Sequence, residues 1–432
     1  MLPYEAYITL KNYFKGNKMK KTTIIVAGVI AASALALFFK KDYDRAAFVS
    51  NLFTGAEQYE NFSNIKEMMP VSEMKAAEIP FDFDEGESIT LPKSFIYEGK
   101  NINTEAFLSE TDTSALLVIH QGKVSFENYY LTGGREVNWL SMSLAKSFIA
   151  TAIGIAVDDG LIDIQKHITD YVPSLIGSAY DKVRVKDVLQ MSSGAVWNED
   201  YSDPESDVMK LGMIMATGGS MSEFIAGMQR EYEPGTVNRY NSGDTQALGM
   251  LLQAATKTSI TNYVQDKLWT PLGMESSAYW IVDDRDVEMA FGGLNATARD
   301  YAKLGELYRL KGNWHGKQLV SEKWIHDSTT PDAPHLMPNA IQPHIGEASP
   351  DDFGYGYQWW IPPSKEGEYL AIGVYNQFIY INPTSDVVIV KLSAYSDYSL
   401  KNEIEYFKEY ESLELFREIS NKFNAEKFAL SH

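Results

Sequence analysis

A serine and a lysine three positions apart are the residues of this chain whose types and spacing most directly suggest chemistry. They are Ser143 and Lys146, at the start of the apolar run 149–157. Residues i and i+3 share a helix face, so the hydroxyl and the amine are expected to meet. A serine hydroxyl becomes a nucleophile when a base takes its proton, and a lysine can be that base if burial lowers its pKa. The free N–H groups of a first helical turn could hold a developing oxyanion.

The helix that would position this pair can be placed from the same stretch. The run 149–157 is apolar on all sides, which predicts a buried helix of about three turns. Ser141 is the predicted N-cap and Gly160 the predicted stop, which places Ser143 in the first turn. The same spacing recurs at 63–66 and 72–75, but in polar sequence that is better explained as solvated surface.

Tyr240 is a second candidate for a reactive side chain. The turn 233–236 precedes it, and an apolar helix follows from about Ala247. A phenol on such a short connection can be held rigidly. The alternative is a packing role, because the chain has 26 tyrosines and most tyrosines pack.

The elements around these residues indicate an α+β domain with a helical insertion. A hairpin turning at Gly122 is followed by helices, then by antiparallel strands, then by a last helix. The predicted segments are a hairpin over 115–130, helices over 185–191, 295–311 and 321–327, mostly helical sequence over 205–275, strands over 355–361, 368–372, 377–382 and 386–392, and a helix over 401–423. The predicted organisation is a lead-in over 40–112, a catalytic domain over 113–400 with its insertion at about 160–290, and a C-terminal helical segment over 401–432 that packs on the sheet.

Composition excludes several kinds of partner and cofactor. The net charge is −20, and residues 1–45 carry eight Lys/Arg against three Asp/Glu, so the remainder carries −25. That balance argues against nucleic acid or anionic lipid as a partner of the main domain. The chain has no cysteine and seven scattered histidines without a ligand pair, so no disulfide and no metal is expected. No phosphate-binding glycine loop is present, and we expect no cofactor.

The N-terminal region carries a candidate membrane segment. Residues 22–39, from Thr22 to Phe39, are uncharged and flanked by lysines on both sides. As a helix they would span about 27 Å, the lower limit for a bilayer. We expect an uncleaved inner-membrane anchor with a cytoplasmic 1–21 and a periplasmic catalytic domain; a cleaved signal peptide is the alternative, since Ala34-Leu35-Ala36 has the form of a cleavage site.

Three segments together resemble the serine β-lactamase and penicillin-binding-protein superfamily. They are Ser143-Leu-Ala-Lys146, then Tyr240-Asn-Ser242 located 97 residues after Ser143, and a glycine-containing strand over 371–377. The resemblance covers roughly 110–400 and is closest to the class C-like branch of esterases, D-aminopeptidases and 6-aminohexanoate-dimer hydrolases. It implies a β-lactamase-like α+β fold, with a central antiparallel sheet flanked by helices and a mostly helical domain.

The resemblance also implies roles for individual residues. In that superfamily the serine forms an acyl-enzyme while a lysine and a tyrosine share the work of the general base, which are the positions of Ser143, Lys146 and Tyr240. The oxyanion hole would combine the backbone N–H of Ser143 with that of Ile372 or a close neighbour.

Three further residues are expected to bind substrate. Tyr201 matches a tyrosine that contacts the substrate amide in the oligomer hydrolases, and Ser242 and Asn376 lie in the second and third matching segments. Ser242 is also a departure, because the second motif of β-lactamases has asparagine there. The third motif, Lys-Thr-Gly, is absent from the strand, and 257–259 is only a look-alike in a helical region.

These departures set the expected function. Without the Lys-Thr-Gly cation, the usual partner of a β-lactam or peptide carboxylate is missing, so we expect a serine hydrolase of small ester or amide substrates. The alternatives are a β-lactamase or D,D-peptidase-like cell-wall enzyme, and a membrane-tethered binding protein that kept the fold without the chemistry. The intact set of Ser143, Lys146 and Tyr240 argues against the binding protein.

Overall fold

The chain divides into two compact units, Met1–Phe48 and Val49–His432, and the fold given below is that of the second. A computed structural model describes residues 44–45, 47–48, 52, 58–340, 352–398 and 408–430. The predicted anchor at 22–39 and the segment 1–21 lie outside these residues. Within the described part of the chain, no helix is both long enough and apolar enough to span a membrane.

The secondary structure is mixed. The strands of the second unit are β1 Val71–Met74, β2 Ser94–Tyr97, β3 Lys100–Asn103, β4 Thr113–His120, β5 Lys123–Tyr129, β6 Trp139–Leu140, β7 Ala278–Ile281, β8 Leu294–Ala296, β9 Asn313–Trp314, β10 Lys317–Gln318, β11 Gly354–Tyr355, β12 Trp360–Ile361, β13 Tyr369–Gly373, β14 Gln377–Asn382 and β15 Val387–Ser393. Its α-helices are α1 Gln58–Ser63, α2 Ile65–Met68, α3 Thr104–Glu110, α4 Leu144–Asp158, α5 Val185–Leu189, α6 Asp207–Thr217, α7 Met221–Ala226, α8 Ser242–Thr256, α9 Ile260–Val264, α10 Ala298–Arg309, α11 Glu322–Ser328 and α12 Glu409–Leu430.

A seven-stranded antiparallel sheet forms the centre of the molecule, in the order β11-β12-β13-β14-β15-β4-β5. Strands β14 and β15 are buried along their whole length, because helices cover both faces. On one face the rings of Phe378 and Tyr380 lie 5.2 and 5.4 Å from the ring of Phe416 in α12. On the other face α10 packs so closely that a Cβ added at Gly305 would lie 2.6 Å from Val388. The predicted α+β class with a large antiparallel sheet is confirmed.

A smaller four-stranded sheet, in the order β1-β7-β8-β6, leads into the Ser143 region. Strand β6 pairs antiparallel with β8, so that Trp139 lies opposite Ala296 and Leu140 opposite Asn295. Beyond the strand, the Ser141 N–H donates to the Leu294 carbonyl at 2.8 Å. The start of α4 is therefore fixed by pairing with residues about 150 positions away.

Two local predictions need correction. The buried helix begins at Leu144 with Ser143 as its N-cap residue, whereas Ser141 was the predicted N-cap. The Ser141 hydroxyl instead donates to the Met142 carbonyl at 2.9 Å. The predicted single strand over 355–361 is a tight hairpin of β11 and β12, in which Gln358 adopts a left-handed φ of 61°.

Candidate active site

Ser143 is presented by a sharp turn between β6 and α4. Met142, directly before it, has φ of 47°, a left-handed conformation that is costly for a residue with a long side chain. Gly292 lies against this turn, and a Cβ built there would be 3.6 Å from the Met142 backbone. The Ser143 side chain is thus held at the mouth of a buried helix, with 7% of its surface exposed.

Lys146 lies one helical turn further on and faces Ser143. Its Nζ donates to the Ser143 Oγ at 2.9 Å, to the Ser242 Oγ at 3.1 Å and to the Phe291 carbonyl at 2.8 Å. All three acceptors are uncharged, and the side chain is 2% exposed. The predicted meeting of hydroxyl and amine is therefore present in the structure.

Burial lowers the pKa of Lys146 to about 8, and the negative charge of Glu199 acts in the opposite direction. A lysine in water has a pKa of about 10.4, so the site makes the amine easier to deprotonate than it is in water. At pH 7 a lysine of pKa 8 is neutral in about a tenth of the molecules. Lys146 can therefore serve as a base near neutral pH.

Glu199 is a buried carboxylate that the sequence reasoning missed. It accepts from the Ser242 hydroxyl at 2.6 Å, from the Ser242 N–H at 3.0 Å and from the Tyr201 phenol at 2.6 Å. The Trp197 indole N–H donates to it as well. Ser242 thus links Lys146 to a carboxylate that lies behind the reacting groups. The only sequence signal was its position two residues before Tyr201, which does not reveal a contact to residue 242.

Tyr240 also lies close to Ser143 and Lys146. Its ring centroid is 5.1 Å from the Lys146 Nζ, and the ring stacks on Trp360 with centroids 5.1 Å apart. Burial, and next the charge of Glu199, raise its pKa well above 10, while a hydrogen bond with Ser143 lowers it. The phenol is therefore protonated at neutral pH and within reach of the serine.

The predicted oxyanion hole is only partly defined by the structure. Within the described part of the chain, the Ser143 N–H donates to no other group, so it is free to hold an oxyanion. The end of β13 lies beside the turn, since a Cβ added at Gly373 would be 2.9 Å from the Ser141 carbonyl. The backbone N–H of Ile372 or of a close neighbour stays the predicted second donor. In this segment the Ile372 side chain packs into the core, and Val374 lines the cavity.

The other predicted binding residues divide into two groups. Tyr201 and Ser242 line the cavity beside Ser143. Asn376 does not, because it is fully buried and its Oδ1 accepts from the Lys391 Nζ at 3.0 Å and from the Ser412 hydroxyl at 2.9 Å. The structure therefore gives Asn376 a place in the interior, and its prediction as a substrate contact needs correction.

A cavity of about 380 Å³ opens beside Ser143, a size typical of sites for small molecules. Among the described residues, no group of three His, Asp or Glu side chains is placed to hold a metal ion. The arrangement brings together a hydroxyl, an amine that is partly neutral, a protonated phenol and a free backbone donor. Such a set can form and break an acyl bond to serine.

Known proteins with similar sequences include a 6-aminohexanoate-dimer hydrolase and a β-lactamase. A 6-aminohexanoate-dimer hydrolase from Paenarthrobacter ureafaciens is 31% identical over 300 residues, which are 68% of this chain and 75% of that protein. A β-lactamase from Yersinia enterocolitica is 21% identical over 185 residues, or 41% of this chain and 45% of that protein.

Solved structures share the fold. A Bacillus anthracis protein assigned as a 6-aminohexanoate-dimer hydrolase superposes with a TM-score of 0.75 at 23% identity, covering 87% of this chain and 96% of its own. A protein from Bacteroides dorei assigned as a β-lactamase superposes with a TM-score of 0.57 at 17% identity, covering 74% of this chain and 96% of its own. At these identities the likeness extends to the fold alone.

The family match covers the residues described above. Residues 105–403 match the β-lactamase family, and this stretch contains Ser143, Lys146 and Tyr240. The expected resemblance is confirmed by this match and by the relative that is 31% identical. The chain therefore belongs to the β-lactamase family, among the serine hydrolases of the β-lactamase and penicillin-binding-protein superfamily.

Proposed function

We propose that this protein hydrolyses small esters or amides through an acyl-enzyme on Ser143. The observation that carries the proposal is that the Ser143 Oγ, 2.9 Å from the Nζ of a lysine whose pKa is lowered to about 8, lines a cavity of about 380 Å³ that can admit a substrate carbonyl. A charged lysine that is buried without a carboxylate in direct contact destabilises the folded protein. Catalysis supplies a reason for keeping it.

The first step forms the bond between Ser143 and the substrate carbonyl carbon. Neutral Lys146 takes the hydroxyl proton as the Oγ attacks, and the carbonyl π electrons move onto oxygen. The Ser143 N–H and a second donor near the end of β13 would hold this oxyanion. Collapse of the intermediate re-forms the carbonyl and expels the alkoxide or amine.

Tyr240 is suited to protonate the leaving group. Its phenol gives its proton to the departing oxygen or nitrogen and is reprotonated by the Lys146 ammonium. Water then attacks the acyl-enzyme by the reverse sequence, giving its proton to the same base and releasing a carboxylic acid and free Ser143. The lysine ends neutral, so the cycle closes without another reactant.

The lining of the cavity favours an ester or a small amide over a β-lactam or a D,D-peptide. The strand β13 reads Tyr369-Leu-Ala-Ile-Gly373 and lacks the Lys-Thr-Gly cation of the family. None of the described residues that line the cavity is a lysine or an arginine. A substrate carboxylate would therefore meet no opposite charge there. The 6-aminohexanoate dimer named for one relative is itself an amide, so both bond types belong to the proposal.

A fluorophosphonate probe tests the nucleophile directly. We expect the full chain to be labelled at Ser143 and the Ser143→Ala variant not to be labelled, with p-nitrophenyl acetate hydrolysed well above nitrocefin. Labelling of another serine would overturn the assignment. An absence of labelling in a folded wild-type protein would favour a binding protein, and efficient nitrocefin turnover would favour a β-lactamase.

We also propose, from the sequence alone, that residues 22–39 anchor the protein in the inner membrane with the catalytic unit on the periplasmic side. Fractionation with protease accessibility tests this. The chain should remain with the membranes and be cut only from outside. A released protein whose N-terminus lies near Leu37 would instead identify a cleaved signal peptide.

A further inference from the structure

The cavity beside Ser143 has an unusual lining. Six of the chain's 16 methionines contribute to it, although only twenty described residues line it. The six are Met69, Met142, Met209, Met213, Met215 and Met289. Three of them come from α6, and this helix forms one wall of the cavity, to which it also contributes Val208 and Gly212. Methionine side chains are apolar and flexible, so such a wall adapts to apolar groups of different lengths.

Charge is missing from this lining. None of the twenty described lining residues is an Asp, Glu, Lys or Arg. Two buried carboxyl groups are hydrogen-bonded to lining tyrosines: Glu199 accepts from the Tyr201 phenol at 2.6 Å, and Glu409 accepts from the Tyr398 phenol at 2.9 Å. A charged group placed in the cavity would lose its hydration without gaining a direct partner.

The position of the cavity indicates which half of the substrate it receives. Ser143 and Ser242 line it, whereas Tyr240 does not and instead packs on Trp360. Tyr240 is the proposed proton donor to the leaving group, so the leaving group departs on its side of Ser143. The acyl group stays bonded to the Ser143 Oγ and is the half that the cavity can hold.

We propose that the cavity is an acyl pocket for an uncharged aliphatic group of about six to ten carbons. The estimate of length follows from the cavity volume of about 380 Å³. A methylene group occupies about the volume of a water molecule, about 30 Å³, and a bound chain does not fill a cavity completely. This inference rests on the proposed function and narrows it: the acyl group is apolar throughout and carries no terminal ammonium or carboxylate.

A series of p-nitrophenyl esters tests the proposal on the full chain. Each fully buried methylene should raise kcat/KM by up to about fourfold until the pocket is full, and partly buried ones by less. We therefore expect octanoyl to exceed acetyl by at least tenfold. The 6-aminohexanoyl ester should fall well below the hexanoyl ester, because the two differ only by an ammonium at the chain end.

Gly212 offers a way to fill the pocket from its wall. A Cβ added at Gly212 meets no atom within 4 Å, and the residue lies inside α6, where glycine is a poor helix former. Gly212→Phe should lower the ratio of octanoyl to acetyl kcat/KM at least tenfold, and Gly212→Leu should lower it by less. Lys210→Phe is the matched control, because Lys210 is on the same helix, is exposed and does not line the cavity.

The outcomes separate this inference from the proposed function. A flat chain-length profile, or faster turnover of the 6-aminohexanoyl than of the hexanoyl ester, would overturn the apolar acyl pocket while leaving a serine hydrolase in place. An unchanged ratio in both Gly212 variants would also overturn it, because the cavity would then not hold the chain. If the wild-type protein were not labelled at Ser143 by the fluorophosphonate, the proposed function itself would be refuted.

Discussion

Two buried lysines of this protein have nearly the same surroundings and very different positions. Lys146 donates to Ser143 and lies 5.1 Å from the ring centroid of Tyr240. Lys391 donates to Ser393 at 2.6 Å and lies 5.8 Å from the ring centroid of Phe107. Burial lowers the pKa of both amines, to about 8 for Lys146 and well below 10.5 for Lys391. A lysine, a serine and an aromatic ring therefore occur twice.

The two sites differ in whether a substrate can reach the serine hydroxyl. Ser143 lines a cavity of about 380 Å³, whereas Ser393 is fully buried in β15, between β14 and β4. Lys391 also contacts Asn376, which is itself fully buried. A perturbed lysine pKa beside a serine hydroxyl therefore does not by itself identify a catalytic site. A cavity that admits a carbonyl carbon to the hydroxyl is required as well.

Removing the two serines should give the largest contrast. Ser143→Ala should lower kcat/KM for an ester by at least about a thousandfold, because no other group can form the acyl bond. Ser393→Ala should keep the activity and cost about 1 kcal/mol of stability through a lost buried hydrogen bond. Esterase assays and urea unfolding of both variants check this. Near-normal activity of Ser143→Ala would refute the catalytic assignment.

The catalytic groups should also act as a unit. If Ser143, Lys146 and Tyr240 form and break one acyl bond, their losses are not additive. The triple variant with Ala, Ala and Phe at these positions should then be little slower than Ser143→Ala alone. Independent, multiplying losses in the single-variant and triple-variant rates would show that the three side chains do not share a step. Lys146→Arg should also be inactive, because a guanidinium does not serve as a base.

Replacing the two lysines by methionine should separate stability from function. Both pKa values are lowered on folding, so each lysine disfavours the folded chain at pH 7, and the penalty disappears as pH rises past the unfolded pKa. For Lys146 the window runs from about 8 to 10.5, or about 3 kcal/mol before lost hydrogen bonds are subtracted. Lys146→Met should therefore gain about 1–2 kcal/mol at pH 7, and Lys391→Met should change in the same direction.

The activities of these variants should differ. Lys146→Met should lose activity by orders of magnitude, while Lys391→Met should retain it. Urea unfolding at pH 7 and above pH 10, together with ester assays, measures both effects. A destabilised Lys391→Met at pH 7, with no change in the pH dependence of stability, would show that this lysine is held by its partners more strongly than burial disfavours it.

The sequence predicts the local part of the site well. Ser143 and Lys146 are three positions apart, so their contact follows from helix geometry alone. The hairpin of β4 and β5 follows from two strand-like runs that flank a turn at Gly122. The strands β13, β14 and β15 are recognisable because each is a short apolar run between turn residues. These features depend on residues within one or two turns of each other.

The rest of the site depends on contacts between residues that are far apart in the sequence. Ser242 meets Lys146 across 96 positions and Glu199 across 43, and no local pattern marks either contact. Asn376 lies in the third matching segment, which predicts a substrate contact, yet it is fully buried and accepts hydrogen bonds from Lys391 and Ser412. The methionine-rich wall of α6 reads in the sequence as an ordinary apolar helix face.

The smallest expected effect concerns Glu199, the carboxylate that accepts from the Ser242 hydroxyl behind Lys146. Among the described residues, no carboxylate accepts a hydrogen bond from Ser393, the serine that Lys391 contacts. Glu199 raises the pKa of Lys146 against burial. Glu199→Gln should therefore lower that pKa and move the acidic limb of the kcat/KM profile to lower pH, by roughly 0.5–1 pH unit. The glutamine keeps one acceptor for Ser242 but presents N–H groups to other donors, so the absolute rate and the stability should also fall.

The position of the limb distinguishes an electrostatic role from a structural one, because a structural loss lowers the rate at every pH without moving the midpoint. Glu409→Gln is the control for exchanging a buried carboxyl for an amide: Glu409 is equally buried, burial raises its pKa to about 8 so that it is mostly uncharged at neutral pH, and it acts on Tyr240 and not on Lys146. The acidic limb should stay in place in that variant. A limb that stays in place in Glu199→Gln too would mean that Lys146 is not the group whose deprotonation controls the rate.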